Sequence, residues 1–152
     1  MSPKSLLRHK LSVSSLADIE TGAFRPVIDE IDALDRSKVT RLLFCSGKVY
    51  FDLLEARRER QLEHVAIVRL EQLYPFPREE ILELVASYPA LREGLWVQEE
   101  PRNQGAWSLV LSRRLLGGCL PAGITLRCVA RPYSASPAVG YFALHVKQQQ
   151  DV

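Results

Sequence analysis

Apolar and polar residues mix without a clear period over residues 1–38 and become regular from Val39 onward. "VTRLLFCS" (39–46) reads as a buried strand that Gly47 ends. Residues 48–61 then place Val49, Leu53, Leu54 and Ala56 on one helical face, with Arg57, Arg58 and Arg60 elsewhere. "HVAIVRLEQL" (64–73) predicts a second strand, broken by "YPFP". "REEILELVASY" (78–88) predicts a short amphipathic helix. Its acids lie in the first turn, where the helix dipole favours them, and Pro89 lies just beyond its end. "GLWVQEE" (94–100) is a third strand, "PRNQGAW" turns, and "AWSLVLSRRLL" (106–116) is helical until Gly117-Gly118 stop it. "ITLRCVAR" (124–131) is a fourth strand. A last helix is expected after Ser136-Pro137, an N-cap followed by proline at the first helical position. Upstream, "FRPVIDEI" (24–31) holds a short strand that Pro26 limits to an edge or a strand start, and "DALDRSK" (32–38) is a connection.

Strands alternating with helices, the strands almost continuously apolar, predict an α/β fold with a mostly parallel sheet covered on both faces. The N-terminal segment (1–38) and the regular part (39–152) are read together as one domain, and 152 residues are enough for a real core.

Composition narrows the function classes. The chain is 47% apolar and 25% charged with a net charge of +2, which gives no global case for nucleic acid. The cluster Arg57-Arg58-Glu59-Arg60 reads as a solvated helix face. Cys45, Cys119 and Cys128 are odd in number and lack metal spacing, so they read as small core residues in a reducing compartment. The first residues have no continuous apolar stretch of the secretory kind, and no run approaches the roughly 20 apolar residues of a membrane helix. The expected location is the cytoplasm, or the mitochondrial matrix in a eukaryote.

In parallel sheets ligands gather at the carboxyl ends of the strands, so the chemistry is sought there. Ser46-Gly47-Lys48 stands at a helix start, where free N–H groups and a lysine suit an anion. It lacks the preceding glycine and following Ser or Thr of a phosphate loop, and a tight strand-to-helix corner fits better. The densest polar cluster is Gln98-Glu99-Glu100-Pro101-Arg102-Asn103-Gln104-Gly105-Ala106-Trp107. Its adjacent carboxylates point to opposite faces of a strand and are no simple acid/base pair, so an interface and a site both fit. The last strand end, Arg131 to Tyr141, is a close-packed loop of small residues and prolines. His9, His64 and His145 lack a metal-ligand neighbour at i+4 and read as surface or structural histidines, and no G-x-S-x-G elbow is present.

Five stretches together carry a resemblance: "MSPKSLLRHK", "LFCSGKVYFDLLEARR", "VAIVRLEQLYPFP", "WVQEEPRNQGAW" and "RPYSASPAVGYFALHVKQQQ". In this order they resemble the C-terminal end of the first, thiamine-diphosphate-dependent decarboxylating component of 2-oxoglutarate dehydrogenases. The pattern is also similar to the C-terminal domain of transketolases. The resemblance implies a three-layer α/β/α domain with a mostly parallel five-stranded mixed sheet, one edge strand coming antiparallel from the N-terminal segment. It further implies a fragment of a much longer enzyme of the tricarboxylic acid cycle, inactive by itself. No cofactor is expected in this domain, whereas thiamine diphosphate and magnesium belong to preceding domains of the full-length enzyme.

The implied partners are the remaining domains, a second copy in a homodimer, and the lipoyl-bearing succinyltransferase component, with no nucleic acid and no membrane. On this reading Glu99, Glu100, Asn103, Gln104 and Trp107, with Arg131, Ser134 and Ser136, are expected at a domain or subunit interface. In the actinobacterial branch acetyl-CoA is an effector of this domain, through basic residues after the L-x-P-x-P loop. Arg78-Glu79-Glu80 stand there in this chain, and two acids oppose nucleotide phosphates. The candidate effector residues are Lys4, Ser46, Gly47, Lys48, Gln72 and Arg78. A stand-alone nucleotide-binding regulatory module is the alternative reading, resting on Ser46-Gly47-Lys48.

Overall fold

A computed structural model describes residues 3–112, 115–136 and 139–152. Its strands are β1 (Val27–Ile28), β2 (Arg41–Cys45), β3 (Val65–Leu70), β4 (Glu93–Pro101) and β5 (Leu126–Arg131). Its α-helices are α1 (Leu16–Glu20), α2 (Val49–Glu59), α3 (Arg78–Ala86), α4 (Trp107–Ser112) and α5 (Phe142–Gln150), with 3-10 turns at Lys4–Arg8 and Gly117–Cys119. The strands form one sheet in the order β1-β3-β2-β4-β5. The four longer strands run parallel, and β1 lies antiparallel on the β3 edge, with Val27 opposite Leu70.

Strand alternation sorts the core into two layers. Leu42, Phe44, Ala66, Val68 and Trp96 face one side and pack with Ile81, Val85, Trp107 and Val110 from α3 and α4. Cys45, Ile67, Leu95 and Val97 face the other and pack with Val49, Tyr50, Phe51 and Leu54 of α2, which Val152 after α5 also touches. This gives three layers, α/β/α. Ile81 and Leu54 lose nearly all their accessible surface; each such side chain contributes about 2–3 kcal/mol of transfer free energy before its ordering cost.

The edge strand expected around Pro26 is present, two residues long, and its neighbour Pro26 still accepts from Glu71 N–H at 2.9 Å. The N-terminal segment is anchored by buried charge as well. The Glu30 side chain is 3% exposed; it accepts from Ile67 N–H at 2.9 Å and pairs with Arg57 at 3.0 Å. Arg57 also meets Asp32, which Arg58 grips at 2.6 and 2.8 Å. The Arg57-Arg58-Glu59-Arg60 cluster is therefore not wholly a solvated face: Arg57 is 5% exposed and clamps the segment to α2.

Three boundaries differ from the sequence pattern. Gln98 and its neighbours carry β4 to Pro101, past a register shift against β5. Gly117 and Gly118 lie within a 3-10 turn rather than ending α4, with Leu116 buried beside them; Arg113 and Arg114 lie outside the described residues. The last helix begins at Phe142, not after Ser136. Ser136 N–H is held by the Ser134 hydroxyl at 3.1 Å in a bend, and Pro137 lies outside the described residues.

Candidate functional site

Successive strands run outward in opposite directions from the boundary between β2 and β4, so the sheet's topological switch point lies between the loops that follow these two strands. Gly47 forms the first corner at φ +75°, a conformation that favours glycine. Lys48, which follows it, sends its ammonium across the crevice to Glu99 at 2.8 Å and back to Asp52 at 3.2 Å, one turn along α2. Burial works against the charged lysine, but the hydrogen bond and charge of Glu99, then those of Asp52, outweigh it and raise its pKa. The crevice is thus spanned by the chain's own ion pair.

The contacts continue sideways. Asp52 accepts from Gln149 Nε2 at 3.1 Å, and Gln149 Oε1 accepts from Arg131 Nη2 at 2.8 Å. The same Nη2 stands 3.2 Å from His145 Nδ1. One polar row, Glu99–Lys48–Asp52–Gln149–Arg131–His145, therefore ties β4, α2, α5 and β5 together. Glu100 points the other way and is exposed, as strand alternation requires.

Above the end of β4 the loops are held by amides. Gln98 is 3% exposed; its Oε1 accepts from Trp96 Nε1 at 2.9 Å and from Trp107 N–H at 3.0 Å. Its Nε2 donates to the carbonyls of Gln104 at 2.7 Å and Pro101 at 3.1 Å. Asn103 and Ser134 exchange two hydrogen bonds, at 2.9 and 3.0 Å, and Gln104 adds a third to the Ser134 carbonyl at 3.0 Å. Trp107 lies in the core against α3, with the Arg102 guanidinium 5.9 Å from its ring.

No hydrogen bond or ion pair among the described residues links Lys4, Gln72 or Arg78 to Ser46-Gly47-Lys48. Lys4 is exposed in the first 3-10 turn, and Ser46, Gly47 and Lys48 form the corner just described. Gln72 donates to Pro75 O at 2.7 Å within its own loop, where Tyr74-Pro75 is cis. Arg78 donates to Gly118 O at 3.2 Å. The geometry does gather Glu99, Asn103, Gln104, Arg131 and Ser134 into one rim, with Ser136 beside it. Sequence reasoning missed Gln98, Glu30 and Gln149 as organising residues, whereas His145, read as a surface or structural histidine, stands beside Arg131. A glutamine closing an apolar strand and a glutamate inside an apolar edge segment were the available signals.

Among the described residues no three His, Cys, Asp or Glu side chains gather as a metal-binding set. The rim carboxylates Glu99 and Asp52 already face Lys48. These residues do not fit a magnesium diphosphate. No helix among the described residues is long and apolar enough to cross a membrane.

Fold and rim define a class: a parallel α/β domain whose switch-point crevice is bridged from within. The particular family is reached by comparison. The chain belongs to the 2-oxoglutarate dehydrogenase C-terminal family, whose profile matches residues 13–152. It is 51% identical to the 2-oxoglutarate dehydrogenase E1 component of Haemophilus influenzae over 100% of its own length. It is 48% identical to that of Azotobacter vinelandii over 99% and 47% identical to that of Coxiella burnetii over 100%. In each case the chain spans 16% of the relative.

Proposed function

We propose that this chain is the C-terminal assembly and dimerisation domain of a 2-oxoglutarate dehydrogenase decarboxylating component and performs no chemistry alone. The observation that carries the reading is apolar surface left bare. Leu16 and Ile19, one turn apart on α1, are 85% and 72% exposed, and Tyr141 and Phe142 at the start of α5 are 79% and 82% exposed. Exposed large apolar groups of this kind mark surfaces that partners cover. In the proposed whole enzyme, preceding domains bind thiamine diphosphate and magnesium. The cofactor supplies the decarboxylation chemistry on 2-oxoglutarate, and the succinyl group passes to a lipoyl arm of the succinyltransferase component. The enzyme works in the cytoplasm, or in the matrix in a eukaryote.

Sedimentation velocity on the chain, alone and mixed with the N-terminal remainder of the enzyme, tests this, followed by a 2-oxoglutarate decarboxylation assay of the mixture. Association with recovered activity is expected. A stable monomer that never binds the remainder overturns the proposal. The alternative nucleotide module draws no support from the corner on which it rests, because Lys48 already faces two carboxylates.

A further inference from the structure

The charged and polar residues buried among the described ones are Arg57, Gln98 and Arg131. Arg57 faces two carboxylates, and the amide of Gln98 is bonded at both ends. Arg131 is different. It is 6% exposed; among the described residues its Nε donates to nothing, as is also true of Arg57, but its Nη2 meets only Gln149 Oε1 and His145 Nδ1. No carboxylate among the described residues pairs with it, whereas Arg57, the other buried cation among them, has two. A guanidinium cannot shed its charge by losing a proton, so burying it uncompensated is costly.

Arg131 is among the residues lining a cavity of about 170 Å³, together with Pro101, Tyr133, Ser134, Ser136 and Gln148. No acid contributes to that wall. Two further donors stand ready. The Gln148 side-chain amide has no hydrogen-bond partner among the described residues, and the Ser134 hydroxyl accepts from Ser136 N–H while its own proton has no acceptor there.

We propose that this cavity is an oxyanion-binding site, taking one carboxylate or phosphate group against Arg131 with Gln148 and Ser134 as further donors. The planar fork of the guanidinium suits such a group, and the neutral walls leave the cation uncontested. The group arrives either on a small free ligand or on an acidic side chain of a covering surface. The site itself goes beyond the assembly role and is a property of the chain alone.

The test follows the Arg131 Nε–H and Gln148 amide resonances by nuclear magnetic resonance at low ionic strength, where screening is weak. Inorganic phosphate and then acetate are added, with chloride at equal ionic strength as control. A saturable shift for phosphate and acetate is expected in the millimolar range. A shift that never saturates, or that chloride reproduces, overturns the site. Arg131→Lys keeps the charge but loses the fork and weakens phosphate binding about tenfold, one charge-assisted hydrogen bond. Gln148→Leu, at a partnerless side chain, weakens it without touching the fold; unchanged affinity in both variants overturns the assignment. A crystal structure of the full-length enzyme grown with phosphate separates the sources. Phosphate at Arg131 indicates a free ligand, a carboxylate side chain there indicates an inserted acid, and water alone overturns the proposal. Failure of the chain to assemble leaves the phosphate titration standing, so the two readings fail separately.

Discussion

A Cβ on Gly105 would stand 3.0 Å from the side-chain amide of Gln98. Gly105 also holds φ +65°, where L side chains are strained. The buried amide cannot retreat without giving up its bonds to Trp96, Trp107 and Gln104. Gly105→Ala is expected to cost about 2–3 kcal/mol, backbone strain plus a damaged buried amide. Gly47 makes the comparison sharp: its φ is +75° but nothing lies within 4 Å of its Cβ position, so Gly47→Ala is expected to cost about 1 kcal/mol from strain alone. Urea unfolding of both variants measures the difference, and equal losses would contradict the role given to Gln98.

Lys48 and Glu99 bridge the switch point at 2.8 Å, with side chains 23% and 24% exposed. At that partial burial their coupling is expected near 1 kcal/mol, reduced by added salt. A double-mutant cycle with Lys48→Met and Glu99→Gln, read by urea unfolding at low and high salt, measures it. Zero coupling at low salt would remove the pair from the account of the site.

Glu30 joins the N-terminal segment to the sheet through a buried pair and a backbone N–H. Glu30→Gln keeps an acceptor for Ile67 N–H but removes the charge facing Arg57. A loss of about 3 kcal/mol is expected, because breaking one side of a buried pair leaves the other uncompensated. Glu30→Ala adds about 1 kcal/mol for the orphaned N–H. Thermal unfolding orders the three proteins; a neutral Glu30→Gln would mean that Asp32 alone satisfies Arg57.

How much of this was legible beforehand divides along a physical line. Strands β2 to β5 and the helices α2 and α3 follow from hydrophobic periodicity, because burying "LLFC", "VAIV" and "LWV" on both faces leaves few other arrangements. The start of α5 was misplaced because Ser136-Pro137 is a strong local cap signal, while Tyr141, the residue just before the helix, supplies no side-chain cap at all. Helix α1 was missed although Ser15 and Asp18 form a reciprocal capping box; five residues are too few for a period to show. At the rim, Glu99, Asn103 and Gln104 were visible as polar residues ending an apolar strand. Their partners Lys48 and Ser134 are dozens of residues away, and no local pattern reveals such pairings. Burial of Arg57 was hidden for the same reason, since its carboxylates lie in a segment of weak pattern.

Asp32 gives the acid response. The hydrogen bond from Arg58 holds its carboxyl below the usual range, against the upward push of burial and with the charges of Arg58 and Arg57 in support. A carboxyl whose folded pKa lies below the unfolded value stabilises fully above the unfolded value, about pH 4, and progressively less as pH falls through the folded one. The stability gap between wild type and Asp32→Asn is therefore expected to be constant near neutrality and to close as pH drops below about 4. Urea unfolding across that range measures the gap; a gap that persists unchanged into strong acid would show that Asp32 acts through shape rather than charge.

The bare face of α1 separates folding from assembly. Leu16 and Ile19 are mostly exposed and lie outside both core clusters. Replacing both with serine is therefore expected to change the stability of the isolated chain by no more than about 0.5 kcal/mol per site. If a neighbouring domain or subunit covers them, each burial contributes about 1.5–3 kcal/mol to association, and losing even one weakens the assembly by about tenfold or more. Thermal unfolding of the isolated chain and sedimentation of the double variant with the N-terminal remainder read the two effects separately. Unchanged stability with weakened association supports the assembly role. Unchanged stability with undiminished association moves the interface away from α1 and leaves Tyr141 and Phe142, the other exposed apolar pair, as the surface to alter next.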